Sequence, residues 1–202
     1  MIMRETLSES MSVTVQGVCE MMNGIWSRHV GLIAVVSGLI GATIYLLMIS
    51  VTLAHIEAVS GQIPFDMRPF GYGPAEAVAL LDALGAEGRD YYLSHQVPLD
   101  TLYPAMLALT LIATMSWSGR RLPNNNLIRL GIVISVGVAL FDYGENLGIM
   151  GMIWCWPDLP APLVHAASAA SIAKSVLTTL AVLLALLIVF VRARQSKANL
   201  RT

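Results

Sequence analysis

Charge is scarce in this sequence. Asp, Glu, Lys and Arg make up 12% of the 202 residues, whereas a soluble domain carries about 25%. Hydrophobic residues make up 56%, so the composition excludes an ordinary water-soluble domain. The formal net charge is −1 and no basic cluster stands out. A nucleic-acid partner would need such a cluster, and we therefore predict none.

Cysteine is scarce as well. There are two, Cys19 and Cys155, and the topology predicted below places them on opposite sides of a membrane. Distance then prevents a disulfide between them. An uninterrupted apolar stretch is also missing from residues 1–29, although a cleavable signal peptide would need one. We therefore expect the first membrane span to be retained.

Long apolar runs are what the sequence does contain. A helix needs roughly 20 apolar residues to cross the hydrocarbon layer. Four runs qualify, at 30–53, 99–117, 127–154 and 163–191. The prediction is an all-α membrane protein with a four-transmembrane-helix bundle over residues 30–191. If the source is bacterial, the bundle belongs in the inner membrane.

Arginine and lysine predict the orientation of the bundle, since they favour cytoplasmic segments. They flank the spans at Arg28, Arg120, Arg121, Arg129, Arg192, Arg194, Lys197 and Arg201. Only an arrangement with both termini inside (N-in, C-in) makes all of these cytoplasmic. Residues 1–29 are then a cytoplasmic segment, either an amphipathic helix on the membrane surface or a frayed tail. Residues 192–202 form a basic cytoplasmic tail.

The first outer connection, residues 54–98, is too long for a simple turn. Prolines and glycines in 63–73 exclude a regular helix there. Pro74 suits the first turn of a helix that would end at Gly85. Its apolar face would consist of Ala77, Leu80, Leu81 and Leu84. We predict a loop and a helix that together form a partly helical extracytoplasmic cap.

Buried acids are the main chemical feature. Asp142, Glu145 and Asn146 share one face of the third span. A charge at mid-membrane costs roughly 2.5–3.5 kcal/mol, so this face must point into the bundle. Lys174 in the fourth span lies at a similar depth, which predicts an ion pair with the acids. The group is either a polar clasp that fixes helix packing or a site for a ligand, proton or ion.

Other spans add polar groups at the same depth. Asp100 and Tyr103 open the second span, where Asp100 either caps the helix or joins the site. Small hydroxyl residues surround Lys174 at helical spacing: Ser168, Ser171, Ser175 and Thr178. We assign acid–base roles to Asp142, Glu145 and Asp100. Ligand contacts are assigned to Tyr103, Asn146, Lys174, Tyr45 and Ser171.

Histidines supply the weaker candidates for metal ligands. His55, His95 and His165 fall at outer ends of the predicted spans. Histidines at such positions commonly contact headgroups and water, and the spacing is not that of a zinc site. No two histidines lie mid-membrane on facing spans, as a bis-histidine haem would need. We therefore predict neither a metal nor another cofactor.

A pocket with apolar walls and a few converging polar groups is typical of a small-molecule site. We expect this chain to bind or modify a lipid-like or small hydrophobic molecule by carboxylate acid–base chemistry. The alternatives are a proton- or ion-coupled transport component and a structural subunit of a membrane complex. Expected partners are membrane lipids, with a second copy of the chain or a membrane-complex partner left open.

Four spans, a long outer first connection and buried acids resemble the architecture of the EXPERA group of sterol-isomerase and sigma-2-receptor-like proteins. The resemblance is one of architecture and includes no motif. We assign no family on it.

Overall fold

The structure, a computed structural model, describes residues 28–120 and 126–199. Within these ranges the chain is helical apart from turns and one loop, with no strand. The helices are α1 (Arg28–Ser60), α2 (Pro74–Tyr91), α3 (Val97–Gly119), α4 (Asn126–Trp154) and α5 (Ala161–Asn199). Cys19 and the predicted N-terminal amphipathic helix lie outside the described residues.

Four helical stretches are long and apolar enough to cross a membrane. They are Arg28–Ser60, Pro74–Gly119, Asn126–Trp154 and Ala161–Gln195. The predicted all-helical chain with four candidate spans is therefore confirmed. By length and composition, this is a multi-pass membrane protein.

Three boundaries differ from the prediction, and one of them is the end of α5, which continues to Asn199 although the prediction ends the fourth run at residue 191. The first helix continues beyond residue 53 to Ser60 and ends at Gly61, whose φ of 65° is left-handed. The second span begins earlier than residue 99, because a π-helical turn at Tyr92–Gln96 joins α2 to α3. A regular helix would press Pro98 against the carbonyl four residues earlier. The wider π-turn precedes this proline, so the helix continues instead of ending.

Small residues allow the helices to approach closely. A Cβ atom added to Gly148 of α4 would lie 2.5 Å from the Cβ of Ala167 on α5. On α1, an added Cβ at Gly38 would lie 3.4 Å from Thr110 of α3. Helices in lipid gain stability from such packing, since no hydrophobic force drives them together. The bundle thus has α5 against α4, and α1 against α3.

The segment 61–96 covers one end of the bundle, and we call it the cap. Its helix α2 begins at Pro74 and has a non-helical residue at Gly85, with φ 62°. The apolar face of α2 packs against α1 and α5. It belongs to one buried apolar cluster whose members include Ala77, Leu80, Leu81, Leu84, Ile56, Ile149, Met152 and Val164. A short 3-10 turn, Phe65–Met67, leads the loop back over the ends of the spans. The cap therefore closes the space above the buried acids.

Candidate functional site

Lys174 joins the two acids of the third span. Its Nζ atom forms an ion pair with Glu145 and lies 3.4 Å from Oδ1 of Asp142. Both acids reach the same ammonium because they stand one helical turn apart on α4. Ser171 donates a hydrogen bond of 2.5 Å to the other oxygen of Glu145. The ion pair predicted from depth alone is confirmed.

A second acidic pair links the cap to α3. Asp66, from the 3-10 turn, accepts a hydrogen bond from the Tyr92 hydroxyl. Asp66 and Asp100 border the same hollow, and Asp66 Oδ1 and Asp100 Oδ2 have no hydrogen-bond partner within the described chain. The pair therefore presents two buried carboxyl oxygens that a bound molecule could contact.

Asp100 does not cap a helix. The chain is already helical through Tyr92–Gln96 when it reaches α3, so no free helix end exists at Asp100. Its side chain is 2% exposed. Its backbone carbonyl accepts a hydrogen bond of 2.9 Å from Nδ2 of Asn146 on α4. The capping alternative is wrong, and Asp100 belongs to the polar cluster.

These groups border a cavity of about 430 Å³ between α1 and α5, with α3 and α4 behind it. Its lining is formed by Tyr45, Met48, Ile49, Leu53, Asp66, Met67, Pro69, Asp100, Tyr103, Leu107, Asp142, Lys174, Ser175 and Thr178. Three carboxyl groups and one ammonium therefore converge among mainly apolar walls. The rings of Tyr45 and Tyr103 pack on each other with centroids 5.6 Å apart.

The structure separates the sequence-predicted residues into two groups. Those that reach the cavity are Tyr45, Asp100, Tyr103, Asp142 and Lys174. Glu145, Asn146 and Ser171 lie outside its lining and bond to groups that do line it or to each other. The sequence did not indicate Asp66 as a fourth carboxyl of the cluster. It follows no helical periodicity, and only the path of the loop brings it to α3.

The loop of the cap contacts α5 at Gly71 and Tyr72. Gly71 has a φ of 81°, and a Cβ atom there would overlap the Ser168 hydroxyl. The next backbone N–H, of Tyr72, donates a 2.8 Å hydrogen bond to the same hydroxyl. The Tyr72 ring packs on Phe65 with centroids 4.7 Å apart. Burial, then the nearby Glu145 and Asp66, raises the pKa of Tyr72, so its phenol stays neutral.

The histidines form no metal site. Across residues 28–120 and 126–199, no three His, Cys, Asp or Glu side chains are placed to hold a metal ion. His55 and His95 instead both pack on the ring of Tyr91, with centroids 4.2 and 4.3 Å away. His165 is exposed on α5. These side chains belong to an aromatic stack and a helix surface.

Comparison with known proteins gives no match: no family model, curated protein or solved structure matches the chain. The architectural resemblance to the EXPERA group thus has no support from sequence or structural similarity. A fold of this kind does not determine a function by itself. The function must be argued from the geometry of the cavity.

Proposed function

We propose that this protein binds a lipid-like or small hydrophobic molecule in the cavity between α1 and α5. The observation that supports this is a space of about 430 Å³ with mainly apolar walls, into which three carboxyl groups and one ammonium point. Ligand pockets commonly measure about 300–1,000 Å³ and combine apolar walls with a few polar groups. A purely structural clasp would need no such space beside it.

The proposal extends to acid–base chemistry on the bound molecule. Asp142 borders the cavity beside Lys174, which favours its ionised form, a proton acceptor. Asp100, which is 2% exposed and lines the same space, takes the role of proton donor in this proposal, because burial disfavours the charged form of a carboxyl group. An acceptor and a donor around one bound molecule are the minimum for general acid–base catalysis. Glu145, predicted to be catalytic, does not line the cavity and takes a positioning role through Lys174.

Transport is the weaker alternative. A proton or ion relay needs polar groups along the whole path across the membrane. Below the cluster, the described stretches 104–119, 130–141 and 175–191 contain no carboxyl, amine, guanidinium or imidazole group. Ser37 of α1 and Ser135 of α4, which are buried away from the cluster, donate hydrogen bonds to carbonyls of their own helices. This distribution favours a site that opens toward one end only.

We also propose that both termini are cytoplasmic and that the cap faces outward. In support, arginines gather at the end opposite the cap, where Arg192 donates a 3.1 Å hydrogen bond to the Trp117 carbonyl. Cys155 is exposed near the cap end. A membrane-impermeant maleimide should label Cys155 in intact cells and leave Cys19 unlabelled. A cysteine introduced at Gly73 is the positive control. Labelling of Cys19 alone would show that the orientation is the reverse of the proposed one.

The binding proposal is tested by what co-purifies. Wild-type protein, purified in mild detergent, should retain a lipid-like molecule detectable by mass spectrometry. The double variant Asp100→Asn/Asp142→Asn should retain it roughly tenfold less or worse, since a hydrogen bond to a charged group contributes about 1.5–3 kcal/mol.

Ser135→Ala is the matched control, because Ser135 is buried on α4 but lies outside the cavity. It should retain the molecule like wild type. Full retention by the double variant, together with poor assembly, would favour the structural-subunit alternative. Wild-type protein that retains no small molecule would count against the binding proposal.

A further inference from the structure

The segment 67–70 of the cap separates three hollows. Met67 and Pro69 line the cavity. Pro69 and Phe70 also line an apolar groove of about 370 Å³ on α5. All four residues of the segment line a recess of about 480 Å³ on the opposite side of the loop. The segment is therefore a thin wall between the candidate site and two different surfaces.

The groove on α5 lies on a stretch that is long and apolar enough to cross a membrane. Its α5 side is lined by Ile172, Ser175, Val176, Thr179 and Leu180, which belong to a stretch apolar enough to cross a membrane. Phe70, on the other side, is 93% exposed. Residues 172–180 extend roughly 12 Å along the helix at about 1.5 Å per residue. The groove can thus accommodate a flexible hydrocarbon chain laid along the helix.

The groove adjoins the cavity at Pro69 and Ser175. Pro69 and Ser175 line both hollows, so a molecule in one touches residues of the other. The recess across the loop is more polar than the groove, and it holds an ion pair of Arg68 and Glu76 at 3.8 Å. A ligand with a hydrocarbon chain therefore finds a mainly apolar surface in the groove and not in the recess.

The charge of the cluster limits what the polar end of such a ligand can be. Four carboxyl groups, Asp66, Asp100, Asp142 and Glu145, surround the single ammonium of Lys174. If all of these groups ionise, the cluster has a net charge of −3, and it stays negative when one carboxyl group is protonated. An anionic headgroup would be repelled at such a site. A hydroxyl or an amine would find acceptor oxygens.

We propose that the ligand is a single-chain amphiphile without negative charge, whose polar end occupies the cavity and whose hydrocarbon chain lies in the groove along α5. This inference rests on the proposed binding function. It adds the route, the orientation and the charge class of the ligand.

The test uses a long-chain alcohol that carries a photoreactive diazirine in the half of its chain farther from the hydroxyl. The alcohol is added to the protein in lipid nanodiscs. After irradiation and digestion, saturable labelling should map to residues 172–180. Unlabelled alcohol or the alkylamine of equal length should compete, whereas the alkyl phosphate of equal length should compete at least tenfold less well. Equal competition by the alkyl phosphate would refute the charge class.

Val176→Trp fills the groove and should reduce saturable labelling several-fold. Leu183→Trp is the matched control, since Leu183 is 58% exposed on the same helix but outside the groove. Unchanged labelling of Val176→Trp would refute the groove. Saturable labelling that maps to α1 or α3 would refute the placement of the hydrocarbon chain in the groove, although it would support binding in the cavity. Wild-type protein without saturable labelling anywhere would count against the binding function itself.

Discussion

The two halves of the bundle differ in the side chains through which their helices pack together. In the half away from the cap, α3, α4 and α5 meet through apolar side chains, which are Leu111, Met115, Val138, Ala181, Ala185 and Ile188. A Cβ atom on Gly131 would overlap the Met115 sulfur there, so no space is left. In the half near the cap, the same helices meet through ion pairs and leave a cavity of about 430 Å³.

This difference shows where buried polar groups are not needed for stability. Mainly apolar packing joins α3, α4 and α5 in the half away from the cap, and a buried ion pair often contributes no more to stability than well-packed apolar residues would. The acids and the lysine are therefore not required to join these helices. Their concentration around the cavity near the cap is better explained by a ligand than by folding.

Removal of the ammonium should produce the largest effect. Lys174→Met leaves Asp142 and Glu145 buried without their cation. Loss of one partner from a buried ion pair typically costs about 3–5 kcal/mol. We expect a clear drop in the thermal unfolding temperature of the purified protein, measured in one detergent throughout.

Two further variants show whether charge causes that drop. Asp142→Asn in the Lys174→Met background should recover part of the stability, because it removes one of the unpaired carboxylates. Thr178→Met lines the cavity one turn further along α5 and places the same side chain without loss of charge. Its effect should be much smaller. Strictly additive effects of Lys174→Met and Asp142→Asn would show that the two residues do not interact.

The sequence predicted the features that depend on regular helical patterns and on depth in the membrane. Apolar length predicted four spans, and the cost of burying charge predicted that Asp142 and Lys174 would meet, since both arguments need only the depth of a residue in the membrane. Helix ends were less predictable. A π-helical turn before Pro98 continues a helix that local rules would end.

The residues that the cap contributes to the site could not be predicted from the sequence, for a physical reason. Asp66 approaches Asp100 only because the loop folds back and docks on α5, and a loop has no repeating pattern that places its side chains. Tyr92 holds Asp66 from a helix face that sequence alone does not orient. Depth arguments apply to spans, and they give no information about a loop that covers them.

The last and smaller effect concerns the point where that loop docks. Gly71→Ala puts a side chain at a φ of 81° and against the Ser168 hydroxyl. A left-handed conformation costs a residue with a Cβ about 1–2 kcal/mol, and relief of the overlap would move the loop away from α5. We expect a total loss of roughly 2–3 kcal/mol in stability. The loop around residues 63–73 should also become more sensitive to proteolysis.

Gly61→Ala separates conformational strain from loss of docking. Gly61 has a φ of 65°, yet an added Cβ would meet nothing within 4 Å. It should therefore lose only the conformational part, about 1 kcal/mol, and keep the resistance of the loop to proteolysis. Equal behaviour of the two variants would show that Gly71 serves the turn alone. In that case the position of the loop does not depend on its contact with Ser168. Contacts of other residues would then keep Pro69 and Phe70 between the cavity and the groove.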